Sequence, residues 1–146
     1  MVDQDRLIAL RQAVEDLYFA YRTFTDLPDQ LLGELGLGRT HHRILYFVQR
    51  DPGLSVGELL AVLNVSKQAI HRPIKDLEER GLLSITADAD DRRLRRLSAT
   101  PEGADLEARL TSVQMRLLDH AFEGIDTSAV EDWHRIMQRL AQPPAQ

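Results

Sequence analysis

The chain has 146 residues, 43% hydrophobic and 28% charged, a balance that fits one water-soluble folded domain and excludes a disordered or fibrous chain. It has no cysteine, which excludes disulfides, thiolate metal sites and thiol redox switching; the opening MVDQDRL lacks the basic start and apolar run of a signal peptide, so a cytoplasmic location is expected. The formal net charge of -5 is unevenly spread: Ser66 to Arg96 holds eight Lys or Arg against six Asp or Glu, and the remainder ten against seventeen. Attraction to phosphates depends on local charge, so this +2 segment gives weak support to nucleic-acid binding, while a solvated mixed-charge face gives the same count.

In chain order, Leu7, Leu10, Val14, Leu17, Tyr21 and Phe24 recur every three or four residues, which predicts a long amphipathic helix ending near Pro28. A glycine-rich connection from Gly33 to Gly38 leads to a second helix with Ile44, Leu45, Phe47 and Val48, stopped by Asp51, Pro52 and Gly53. Ser55 and Glu58 have capping-box spacing for a short helix from Val56 to about Leu63. Asn64 and Val65 form a turn, and Ser66 caps a further helix that buries Ile70, Ile74 and Leu77 and ends at Gly81. Leu82 to Thr86 and Leu94 to Ala99 are β-compatible runs separated by a seven-residue charged tip. Thr100 and Pro101 open a long helix carrying Leu106, Leu110, Val113 and Leu117, and a last helix presents Val130, Trp133, Met137 and Leu140.

The expected fold is mostly α (α+β): a winged helix-turn-helix with long N- and C-terminal dimerisation helices. The expected division is 1-35 for the N-terminal dimerisation helix, 36-101 for the DNA-binding lobe, 102-142 for the C-terminal dimerisation helices and 143-146 for a flexible tail. Terminal helices longer than a small winged domain needs must bury their apolar faces elsewhere, and a two-fold homodimer is the simplest solution.

In such a fold the second helix of the pair presents side chains to the major groove. Its exposed positions are Lys67, Gln68, His71, Arg72 and Lys75. Gln68 suits adenine, Arg72 suits guanine or a phosphate, and Ser66 and Lys67 suit backbone contacts that set register. In the tip, Arg92, Arg93, Arg95 and Arg96 stand beside Asp88, Asp90 and Asp91. An Arg there can enter a narrow minor groove while an Asp holds the loop, and strand alternation is expected to point Arg93 and Arg95 to one face.

The run LSVGELLAVLNVSKQAIHRPIKDLEERGLL followed by ADADDRRLRRLSATPEG closely resembles the MarR (multiple antibiotic resistance regulator) family of bacterial transcription factors. The family's Leu-Glu-x-x-Gly-Leu, Asp-x-x-Asp-x-Arg and Thr-x-x-Gly patterns stand here as Leu77, Glu78, Gly81 and Leu82, then Asp88, Asp91 and Arg93, then Thr100 and Gly103. The resemblance implies a homodimer on a near-palindromic operator of double-stranded DNA, usually a repressor relieved by a small molecule, with Arg93 as the minor-groove residue and Asp91 as its structural partner. It also implies an effector cavity between the dimer helices and the winged lobe, where Tyr18, Tyr21, Arg22, His41 and His42 either line a pocket for a small aromatic effector or are ordinary packing residues.

Pro73 departs from the family pattern. It cannot donate to the Ala69 carbonyl, and a kink or early break from Ala69 to Pro73 is expected to re-aim Gln68 and His71. An alternative reading follows from it: a winged-helix interaction module, or a metal-responsive regulator, with weakened or altered DNA binding. No cofactor, metal or membrane partner is expected, because the histidines lack ligand spacing, and no phosphate loop or nucleophile motif points to an enzyme.

Overall fold

The computed structural model describes residues 3–142 and 144; apart from Pro144, the expected tail lies outside the described residues. The helices are α1 (Gln4–Asp26), α2 (Asp29–Glu34), α3 (Arg39–Arg50), α4 (Val56–Leu63), α5 (Lys67–Glu79), α6 (Pro101–Phe122) and α7 (Thr127–Ala141). The strands are β1 (Leu54–Ser55), β2 (Leu83–Ala87) and β3 (Arg95–Ala99). The order helix, turn, helix, hairpin is a winged helix-turn-helix, mostly α with a small antiparallel sheet in the order β1-β3-β2.

The chain divides into two compact units, Met1–Gln114 and Met115–Gln146. The first holds a core of Leu32, Ile44, Leu45, Val48, Leu59, Ile70, Leu77, Leu97 and Leu110, each almost completely shielded from water. Helical periodicity sends these side chains inward from α3, α4, α5 and α6, and the β2/β3 register places Ile85 opposite Leu97 beneath them. In the second unit the end of α6 and α7 meet through Phe122 and Trp133, edge to face at 5.2 Å.

Two elements are too short for a repeating pattern and were not predicted: the six-residue α2 and the two-residue β1, which pairs Leu54 with Leu97 and Ser55 with Arg96. The strands start one residue later than the sequence suggested, at Leu83 and Arg95.

Pro73 does not end α5, which runs unbroken from Lys67 to Glu79. Ile70 and Ile74 flank the proline and Leu77 follows one turn on, with exposures of 0%, 7% and 0%. Burial of three such side chains, at ~1.5–3 kcal/mol each, outweighs the ~3 kcal/mol cost of an interior proline. The early break expected at Ala69 to Pro73 is thereby overruled by packing.

The joint between hairpin and α6 explains the Thr100–Gly103 spacing. The Thr100 hydroxyl donates to the Gly81 carbonyl (2.6 Å) and accepts from the Gly103 amide (3.0 Å). Gly81 supplies the left-handed turn at φ +71°, and at Gly103 a Cβ would overlap the Leu82 carbonyl. Only glycine lets α6 start this close to the turn.

Candidate nucleic-acid interface

Helix α4 begins with a reciprocal cap. Ser55 Oγ accepts from the Glu58 amide (3.1 Å), and Glu58 Oε1 accepts from the Ser55 amide (3.3 Å). These bonds to Ser55, with help from Arg96, hold the Glu58 carboxyl below its ordinary range. Asn64 closes the helix at φ 52°, a left-handed turn that asparagine tolerates. Ser66 then caps α5 by accepting from the Ala69 amide at 3.1 Å.

Across α5 the polar and apolar residues separate cleanly. Lys67, Gln68, His71, Arg72 and Lys75 are exposed, whereas Ile70, Ile74 and Leu77 are buried. Every residue predicted for this helix face therefore reaches solvent; Ser66 is exposed as well, though its hydroxyl is occupied by capping. Arg72 Nε donates to Asp76 Oδ1 at 3.2 Å, and Asp76 Oδ2 faces His41 Nε2 at 3.2 Å. The hydrogen bond from His41, then that from Arg72, keeps the Asp76 carboxyl below its usual range.

The wing tip, Asp88 to Leu94, is organised by two carboxylates. Asp88 Oδ2 accepts from the amides of Asp91 (3.0 Å) and Asp90 (3.3 Å), and its Oδ1 accepts from Arg96 Nε (3.3 Å). The Asp91 amide bond is the leading cause of a lowered Asp88 carboxyl pKa. Asp91 Oδ1 accepts from both the amide and Nε of Arg93, at 3.0 and 3.3 Å. That leaves the terminal amines of Arg93, whose side chain is 92% exposed, pointing free. Arg92 and Arg95 are exposed too.

One expectation about the wing is corrected. Arg93 lies in a turn and Arg95 starts β3, so strand alternation does not align the two side chains. Asp91, acting on the Arg93 backbone, is what directs Arg93.

Sequence reasoning counted Arg96 among the cations of the tip and gave it no role within the fold. Its guanidinium reaches Asp88, the Gly53 carbonyl (3.3 Å) and Glu58 Oε1 (3.2 Å), tying the wing to the cap of α4. Glu58 and Arg96 are 38 residues apart, and nothing in their spacing announces the pair.

The five residues considered for an effector take separate partners. Tyr18 is exposed on α1 beside Phe19, with the Arg22 guanidinium 5.9 Å and 5.0 Å from the respective ring centroids. The Tyr21 hydroxyl accepts from Arg43 at 3.2 Å. His41 turns toward α5, whereas His42 is buried against α6 with Nε2 3.1 Å from Thr111 Oγ1. The Thr111 hydroxyl continues to Glu107 at 3.3 Å. Burial, reinforced by Arg43, lowers the His42 pKa, and burial raises that of Glu107. Among the described residues no group of three or more His, Asp or Glu could hold a metal ion, and no helix is long and apolar enough to cross a membrane.

In sequence and fold the chain is similar to known proteins. The MarR family model covers residues 35–94. The HTH-type transcriptional regulator PetP of Rhodobacter capsulatus is 36% identical over 134 residues, spanning 92% of this chain and 81% of that protein. A crystal structure of a MarR-family transcription regulator has a TM-score of 0.79 at 22% identity, covering 94% of this chain and 91% of its own. A Listeria monocytogenes protein described as a MarR-family transcriptional regulator, solved with 26mer DNA, has a TM-score of 0.76 at 17% identity, covering 88% and 85%.

Proposed function

The chain belongs to the MarR family of transcriptional regulators, and from that premise we propose that it is a homodimeric repressor of a near-palindromic operator. The observation that carries this reading is the division of α5, whose outward face is built from Lys67, Gln68, His71, Arg72 and Lys75 over a fully buried apolar spine. Cations on a rigid helix edge attract phosphates, and Gln68 and Arg72 carry the donors that read adenine and guanine edges. Ser66 and Lys67 hold the backbone, and Arg92, Arg93 and Arg95 reach for the flanking minor groove. Repressing DNA places the protein on the bacterial nucleoid in the cytoplasm.

Dimerisation is supported by α1, where Leu7, Leu10, Val14, Leu17 and Tyr21 are each more than 40% exposed on one face. An apolar stripe of that length is stable in water only when covered, and a second copy covers it symmetrically. Relief by a small aromatic molecule rests on family membership, with Tyr18, Tyr21, Arg22, His41 and His42 as the candidates. The alternative, an interaction module or a metal-responsive regulator with weakened or altered DNA binding, was argued from Pro73, and the continuity of α5 through that residue favours the repressor reading.

Selection of bound fragments from a random duplex pool tests the proposal, paired with sedimentation to count subunits. An inverted repeat with half-sites about 34–36 Å apart is expected from a dimer whose two α5 helices enter successive major grooves. A strictly monomeric protein, or one that ignores duplexes even at low salt, overturns it.

A further inference from the structure

Among the groups on and around α5, Asp76 is out of place by charge. A carboxylate one helical turn beyond Arg72 repels the phosphates that the same face attracts. Yet both its oxygens are committed, Oδ1 to Arg72 Nε and Oδ2 to His41 Nε2, each at 3.2 Å.

His41 is fixed in turn. Its Nδ1 accepts from the Gly38 amide at 2.9 Å, which puts the proton of the neutral ring on Nε2, facing Asp76. A chain of four groups therefore runs from the start of α3 to Arg72: the Gly38 amide, the His41 ring, the Asp76 carboxylate and the guanidinium. Local helix geometry alone would hold Arg72 poorly, because Arg preceding Asp is the weaker order of an i,i+4 pair and the Arg72 side chain is 84% exposed. The brace from α3 supplies what the helix lacks. Lys67, Gln68, His71 and Lys75 have no such brace among the described residues.

We propose that Asp76, anchored by His41, is a positioning residue that aims Arg72 and so sets which base pair α5 reads. The inference rests on α5 being the DNA-facing helix. With Nε occupied, the two terminal amines of Arg72 remain as a planar fork, the geometry that meets guanine O6 and N7 in a bidentate pair. Fixing the fork before binding removes rotamers that would otherwise let it grip any nearby phosphate. Asp76 thus trades general affinity for discrimination.

The test compares the wild type, Asp76→Ala, His41→Ala, Arg72→Ala and the Asp76→Ala/Arg72→Ala double variant on the selected duplex, its single-base-pair variants and an unrelated duplex at fixed salt. Asp76→Ala is expected to bind the unrelated duplex at least as tightly as the wild type, because a negative charge is gone. Its preference at one base pair per half-site should fall roughly tenfold. The double variant should match Arg72→Ala at that position, and His41→Ala should flatten the same position without removing a charge. Without DNA, the Arg72 Nε–H resonance should be ordered in the wild type and mobile in Asp76→Ala.

An unchanged preference profile in Asp76→Ala, or equal weakening on every duplex together with a lowered melting temperature, overturns the proposal. An unchanged profile in His41→Ala removes the anchor from it. A wild type that binds no duplex fails the underlying reading instead, while the Arg72 resonance still decides whether the brace exists.

Discussion

Replacing Pro73 by alanine should stabilise the protein. Proline at this point has no amide to give the Ala69 carbonyl and its ring crowds that turn, a cost of ~3 kcal/mol in an ordinary helix interior. Against that recovery stand two losses. A proline restricts the unfolded chain, worth ~0.4–1 kcal/mol, and its half-buried ring contributes about 1 kcal/mol of apolar burial that alanine gives up. The net gain is about 1–2 kcal/mol, and at ~2–4 °C per kcal/mol for a chain near this size the melting temperature should rise by about 2–8 °C. Thermal and urea unfolding followed by circular dichroism at one protein concentration measures both, since a dimer's stability depends on concentration. The side chains of α5 already sit on helical positions, so the operator profile should stay as it is. An unchanged or lower stability would refute the reasoning and show that the helix is built around the proline. A changed profile would show that Pro73 also shapes the reading face.

Other perturbations test the joints of the lobe. Gly103→Ala must push α6 away from the Leu82 carbonyl, and overpacking of ~1–3 kcal/mol should exceed the ~1 kcal/mol gained in helix propensity; a melting temperature equal to or above wild type would contradict the close approach. Arg96→Met keeps the aliphatic stem but releases Asp88, Glu58 and the Gly53 carbonyl, so amide exchange across the wing tip should quicken while global stability falls by only about 1 kcal/mol. Because the Arg96 charge is occupied internally, the salt dependence of DNA binding should stay unchanged in that variant, whereas Arg95→Ala should reduce the slope by about one counterion. His42 has a folded pKa below its ordinary 6.5, so the folded state binds fewer protons; its contribution is complete above about pH 6.5 and is lost as pH falls through the lower folded value. Urea midpoints of the wild type should therefore drop from pH 7 to pH 5 more steeply than those of His42→Gln, and parallel slopes would refute the burial argument.

Periodicity exposed the long helices because each carries its apolar residues on one face, and the Ser55/Glu58 and Ser66 caps were legible because their partners lie three residues away. Helix α2 and strand β1 were illegible for the opposite reason: six and two residues do not complete a pattern, and β1 exists only because β3 lies beside it. The early break expected at Pro73 weighed a local cost without the tertiary burial of its neighbours. The same blindness to distance hid the two polar braces, His41 with Asp76 across 35 residues and Glu58 with Arg96 across 38. They change how the charge of the interface should be counted. Of the eight cations from Ser66 to Arg96, Arg80 donates to the Leu35 and Gly36 carbonyls and Arg96 is taken up by the wing clamp. Among the acids, Asp76, Asp88 and Asp91 are bonded within the fold. With Arg72 paired to Asp76 and Arg93 to Asp91, the charges left unpaired among the described residues are Lys67, Lys75, Arg92 and Arg95 against Glu78, Glu79 and Asp90, so the basic character of the edge comes from where its groups are turned and not from a larger charge sum. An acidic protein can thus present a basic edge, because Asp76 and Asp91 each hold the Nε of an arginine whose terminal amines stay turned toward solvent.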